Sequence, residues 1–284
     1  MSALIRWAAE PPELRRPVLL VALDGFVDAG GAGASAAMFL RHRWRSELLA
    51  TFDRDALLDY RARRPTAVVD SGELRRVEWP DLELFSARVG GPQDALLLVG
   101  PEPDMRWQAF FEAVADVCRR VDVEHVVALG AYPAASPHTR PIRVTRAGNA
   151  LGRGLLAEAR DVTAYTGPVG ASAALLGALG ERGVAAVGLW AEVPHYIAGS
   201  PNPAGALALT TLVADALRVR VDTTELEAAA RQFRDQVDEA IAEHAEARQM
   251  VESLERQLDS GDEDAELPTG DDLAAEIERF LRFQ

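Results

Sequence analysis

Two carboxylates four residues apart, Asp24 and Asp28, stand in the segment Asp24-Gly25-Phe26-Val27-Asp28-Ala29-Gly30-Gly31. Such carboxylates can take a proton from a ligand or accept its hydroxyl, and they can equally close a turn or cap a helix. Three more polar clusters share this glycine- and proline-flanked character. Gly100 to Trp107 carries Glu102 and Arg106; Gly130 to Pro141 carries Tyr132, His138, Thr139 and Arg140; Glu192 to Pro203 carries Glu192, His195, Tyr196 and Asn202. The imidazoles of His138 and His195 could serve in acid–base work or in structural hydrogen bonds beside prolines. Arg106 and Arg140 can clamp a phosphate or carboxylate, or pair with Glu102 and Glu192. Gly167, in Thr166-Gly167-Pro168-Val169-Gly170, precedes a helix whose free N–H groups could hold an anion. The glycines at 30, 31 and 33 permit close backbone approach but lack the GxGxxG spacing of a dinucleotide loop.

The apolar pattern between these clusters decides whether they can meet. Pro17–Leu23 (PVLLVAL), Ala95–Val99 and Val184–Trp190 are apolar runs of strand length, suited to strands buried on both faces, and Glu124–Leu129 is expected as another strand. Val162–Tyr165 is expected as a further short strand, and residues 48–89 as shorter β pieces broken by Pro65, Ser71-Gly72 and Pro80. Helices are expected over Gly30–Trp44, Met105–Val121, Ala171–Arg182 and about Pro203 to Arg218. Strands alternating with helices predict an α/β fold, a mostly parallel sheet with helices on both faces. Ligands of such sheets collect outside the carboxyl ends of the strands, and every polar cluster above follows a strand. One rim pocket is therefore expected.

Composition narrows the chemistry. The 284 residues carry 44 acidic and 30 basic side chains, and every basic one is arginine. The absence of lysine excludes the P-loop lysine, Schiff-base catalysis and pyridoxal phosphate attachment. Residues 1–221 hold 25 acidic and 24 basic groups, whereas 222–284 hold 19 and 6. No concentrated cationic face is available for nucleic acid. No apolar run is long enough to span a bilayer, the N-terminus lacks a signal-peptide pattern, and a lone Cys118 in an apolar helix is expected to be inert; a cytoplasmic protein follows. No ligand spacing suggests a metal, no Gly-x-Ser-x-Gly elbow is present, and no cofactor is expected.

The acidic extension, 222–284, is expected to stand apart from an α/β core domain over 1–221. Apolar or small residues from Leu226 through Phe233, Val237, Val251 and Leu254 to Leu258 alternate by fours and threes, the seam of a coiled-coil-like helix. That helix lies along its own domain or between subunits. Residues 259–269 read as a linker, and Thr269 with Asp272 resembles a capping box opening a final helix through Phe283.

Taken in order, DGFVDAG, DALLLVGPEPDMRW, LGAYPAASPHTRP, YTGPVG, LWAEVPHYIAGSPNP and LPTGDDLAAEIERFLRFQ resemble the PAC2 family, which includes proteasome assembly chaperone 2. The resemblance implies a fold similar to purine nucleoside phosphorylases with a helical C-terminal addition, homo-oligomers with a trimer favoured, and proteasome components as partners. Docking chaperones of this kind often end in a hydrophobic–Tyr–any tail; here the ending is Arg282-Phe283-Gln284. The chain thus reads as a self-associating, protein-binding or scaffold protein rather than an enzyme. The alternative is a small-molecule enzyme or sensor, nucleoside phosphorylase- or hydrolase-like, using the rim.

Overall fold

The structure is a computed structural model and describes residues 2–260. Strands β1 (Ile5–Trp7) and β2 (Val18–Asp24) lead into α1 (Ala32–Arg43), β3 (Glu47–Phe52) and the single-turn α2 (Arg54–Leu57). A hairpin of β4 (Thr66–Asp70) and β5 (Glu73–Glu78) precedes β6 (Glu83–Ala87), β7 (Ala95–Pro101) and α3 (Trp107–Val121). Then come β8 (His125–Ala134), β9 (Val144–Gly148), β10 (Arg160–Asp161), α4 (Ala171–Glu181) and β11 (Ala186–Pro194). Helices α5 (Pro203–Ala216), α6 (Thr224–Ala242) and α7 (Ala245–Ser260) follow.

Nine strands form one sheet in the order β1-β3-β6-β7-β2-β8-β11-β9-β10. Its four central strands, β7, β2, β8 and β11, run parallel, so their carboxyl ends share one rim. β2 shows why the sheet must be covered on both sides. Leu19, Val21 and Leu23 enter a core with Phe110 of α3 and Leu175 of α4, while Val18, Leu20 and Ala22 enter another with Leu40 of α1 and Leu209 of α5. Alternate side chains of a strand point to opposite faces, and burying each such aliphatic contributes roughly 1.5–3 kcal/mol. A strand apolar on both faces has no place for charge, so the first acid, Asp24, falls where β2 leaves the sheet. The α/β class expected from the sequence is the observed one.

Several local expectations need correction. The edge strand lies at Arg160–Asp161 rather than Val162–Tyr165, because it pairs with β9, unforeseen in the sequence, in a register that brings Asp161 within 2.9 Å of Arg146. The long seam helix is two helices. It breaks at Glu243–His244, where Ala240 and His244 are exposed, and the Arg248 guanidinium takes over the freed carbonyl of Ala242. A continuous helix would set Asp238 and Glu255 ~25 Å apart at 1.5 Å per residue. Instead Asp238 meets His138 while Glu255 meets Thr139 and Arg140, so α7 folds back beside α6. The expected linker begins too early, since α7 continues through Ser260; the final helix and Phe283 lie outside the described residues.

The β4–β5 hairpin stands away from both cores. A bulge at Arg75 realigns β5 so that Val69 faces Leu74 and Ala67 faces Val77, giving one apolar face, and its members are exposed.

Candidate functional site at the strand carboxyl ends

At the end of β2 the chain turns through Gly30 and Gly31, both at φ near +60°, and enters α1. The Asp28 carboxylate accepts hydrogen bonds from the N–H groups of Gly33 at 2.6 Å and Ala34 at 3.0 Å. Burial pushes this carboxyl up to about 6, against the pull of the two amides. Gly33 is small because a Cβ there would lie 2.7 Å from the Leu129 carbonyl oxygen of β8. The glycines thus serve a turn and a close helix–strand approach.

At the end of β7, Glu102 plays the same part for a second helix. One of its carboxylate oxygens accepts from Phe26 N–H at 3.0 Å, and the other accepts from Ala171 N–H, at the start of α4. The helix N-terminus that the sequence offers to an anion therefore holds an anion from its own chain. Asp24 lies beside this arrangement. Its carbonyl accepts from Glu102 N–H at 2.8 Å and from Arg63 at 3.3 Å, and its carboxylate is exposed. Gly167 sits in the exposed loop before α4, which Tyr165 braces by donating to Pro168 O at 2.6 Å. Arg106 stands at the N-terminus of α3 with φ +58°, exposed and, among the described residues, in no ion pair.

The ends of β8 and β11 carry a second arrangement. Glu192 is buried, its carboxylate 2.8 Å from Arg143 Nε and 3.2 Å from the Tyr132 hydroxyl, which also lies 3.2 Å from Thr145 Oγ1. Burial, reinforced by the nearby Glu192 charge, pushes the Tyr132 phenol up to about 12, so it stays a donor.

A third arrangement joins the 138–140 loop to α6 and α7. His138 N–H donates to the Tyr196 hydroxyl at 2.8 Å, His138 Nδ1 lies 2.7 Å from the same oxygen, and Nε2 lies 3.0 Å from Asp238. With the proton on Nε2, every group here is satisfied: Nε2–H donates to Asp238 and the tyrosine donates to Nδ1. Thr139 donates to Glu255, and Arg140 reaches both Glu255 at 3.1 Å and Asp259 at 2.9 Å. The hydrogen bond from Arg140 holds Asp259 below the usual carboxylate range. His195 Nδ1 lies 3.3 Å from Ala134 O, and Asn202 Oδ1 caps α5 by accepting from Gly205 N–H at 2.8 Å.

The candidates thus fall into three groups rather than one open pocket. Arg140 pairs with α7, not Glu192, whose partner is Arg143; Glu102 binds amides, not Arg106. Arg143, Asp238, Glu255 and Asp259 escaped the sequence reading. The spacing of Glu255 and Asp259, four apart on one helical face, was the available signal for the last two. Of the seam residues, Val237, Val251 and Leu254 are buried within the chain itself, while Leu226 and Phe233 are half-buried. Cys118 is buried, and burial pushes its thiol up to about 12.

A PAC2 family model matches residues 22–241. The fold is similar to that of a Corynebacterium glutamicum protein of unknown function, 35% identical, with TM-score 0.85 over 92% of this chain and 99% of that one. A Mycobacterium tuberculosis proteasome-assembly chaperone homologue is 34% identical, with TM-score 0.75 over 82% of this chain and 99% of that one. The Pyrococcus furiosus archaeal proteasome activator PbaB shares the fold at 18% identity, with TM-score 0.64 over 83% of this chain and 97% of that one. No curated protein matches the sequence.

Proposed function

The chain belongs to the PAC2 family, and from that premise we propose that it is a proteasome-assembly-chaperone-like protein that self-associates and binds a proteasome component. The carrying observation is that the rim's own carboxylates occupy its helix N-termini: Asp28 on α1 and Glu102 on α4. N–H groups that already hold a carboxylate of the chain itself are not open to an external anion. The likeness to the M. tuberculosis chaperone homologue supplies the partner class. We assign residues 1–221 to a core and 222–284 to an acidic extension, and the cytoplasm as the place of work; among the described residues no helix is long and apolar enough to cross a membrane.

Self-association, with a trimer favoured, draws support from the bare apolar face of the β4–β5 hairpin, since a two-stranded hairpin is marginal alone. Light scattering on Leu74→Asp should then give a smaller mass than the unsubstituted chain. For the partner, tagged full-length chain is mixed with purified proteasome core subunits from a proteasome-containing host and sedimented. Co-migration is expected; separate migration at micromolar concentrations defeats the proposal. The small-molecule alternative is judged by thermal shift with phosphate, nucleosides and nucleotides, where a ligand at ~100 Kd stabilises by about 2.7 kcal/mol.

A further inference from the structure

A trough of about 520 Å³ runs between α5, α6 and the 138–142 loop. Neither self-association through the hairpin nor the proteasome reading assigns it an occupant. Ile142, Ile197, Leu207 and Phe233 make its surface apolar; from α6, Arg231 and Arg234 line it together with one acid, Glu227, which accepts from the Thr223 hydroxyl. Both arginines are exposed and, among the described residues, in no ion pair. Its volume is over three times the ~150 Å³ that houses a benzene-sized group. An apolar trough flanked by helices with cations along one side fits an amphipathic helix bearing acids.

The chain carries such a segment and delivers it there. The last described residues reach the trough itself: Asp259, one residue before Ser260, lies 2.9 Å from Arg140, which is part of the wall. Residues 261–284 begin at that point and hold eight acidic and two basic side chains. Within them Leu273, Ile277, Phe280 and Leu281 recur at i, i+4, i+7 and i+8, the spacing of one helical face, with Asp271 and Asp272 just before them and Glu276 between. The intervening residues 261–270 can extend by up to ~33 Å, ample for a return path. We propose that residues 271–284 dock in this trough of their own chain, apolar face inward and acids toward Arg231 and Arg234. Tethering keeps the effective concentration near millimolar, so a weak contact suffices.

The test uses the full chain and a pair of introduced thiols. Cys118, the single native cysteine, is buried and does not compete. Ala204→Cys, in the trough wall, is combined with Ile277→Cys; the control combines Leu151→Cys, exposed near the start of β11 at the other end of the sheet, with Ile277→Cys. Under mild oxidation the trough pair should form an intrachain disulfide at least tenfold faster than the control. Adding Arg231→Glu and Arg234→Glu should remove that advantage. Rates indistinguishable from the control, insensitivity to charge reversal, or disulfides linking two chains would each overturn docking in the same chain. The outcome is independent of whether proteasome components bind.

Discussion

Asp28 sits where two demands conflict. Burial favours its neutral form, whereas the amides of Gly33 and Ala34 favour the carboxylate, and the balance leaves it at about 6. The unfolded carboxyl titrates near ~4. Between these values the folded state binds more protons than the unfolded, so stability rises as pH falls through that window and the ionised group carries its full cost above it. Asp28→Asn abolishes the dependence. In chemical denaturation the wild type should gain on Asp28→Asn by up to about 3 kcal/mol between pH 6.5 and 4; a constant difference would show the carboxyl at its ordinary value. Glu102 supports two amides from separate loops, and Glu102→Ala strands both donors. A loss of about 1–3 kcal/mol is expected in the same assay. Both acids were visible in the sequence as polar residues after strands. Their targets were not, because a carboxylate's choice between ligand and amide depends on where the next helix begins.

Elements were legible where burial alone decides them. The run PVLLVAL has to be a two-faced strand, and the apolar spacing of Phe110, Val114, Val117 and Val121 has to face a core. Edge elements were harder, since β9 and β10 carry arginines and acids, and their pairing rests on contacts such as Arg146 with Asp161. The heptad-like seam was legible as apolar spacing, but the break at Glu243–His244 follows from Asp238 and Glu255 both reaching the 138–140 loop, a tertiary cause with no local mark. Helix α1 illustrates packing that small residues make possible. Its Gly33 lies against the β8 backbone, where a methyl would press on the Leu129 carbonyl oxygen at 2.7 Å and the Gly130 Cα at 2.8 Å. Backbone cannot yield as a flexible side chain does. Gly33→Ala should cost about 1–3 kcal/mol despite alanine's better helix propensity. Thermal unfolding that matches or exceeds wild type would mean α1 can ride outward from the sheet.

At the scale of the molecule, a nearly neutral body is bound to a strongly acidic extension by a few directed contacts. Residues 222–284 hold 19 acidic and 6 basic groups, so removing them takes the net charge from -14 to -1. The same deletion leaves His138 without Asp238, leaves Arg140 without Glu255 and Asp259, and strips α6 from beside α5. Two consequences act in one direction. Apolar surface around Leu207 and Ile142 becomes accessible, and the like-charge repulsion that keeps copies apart weakens. A chain ending at Val221 should therefore bind more of a hydrophobic dye and show a larger mass by light scattering, most strongly near its new isoelectric point. Adding Arg140→Glu to the full chain separates the two causes, because it loosens α7 while making the net charge more negative. If uncovered apolar surface dominates, that variant also gains dye binding; if lost repulsion dominates, only the truncated chain grows in mass. An unchanged mass and unchanged dye binding after truncation would mean the extension neither shields α5 nor governs association.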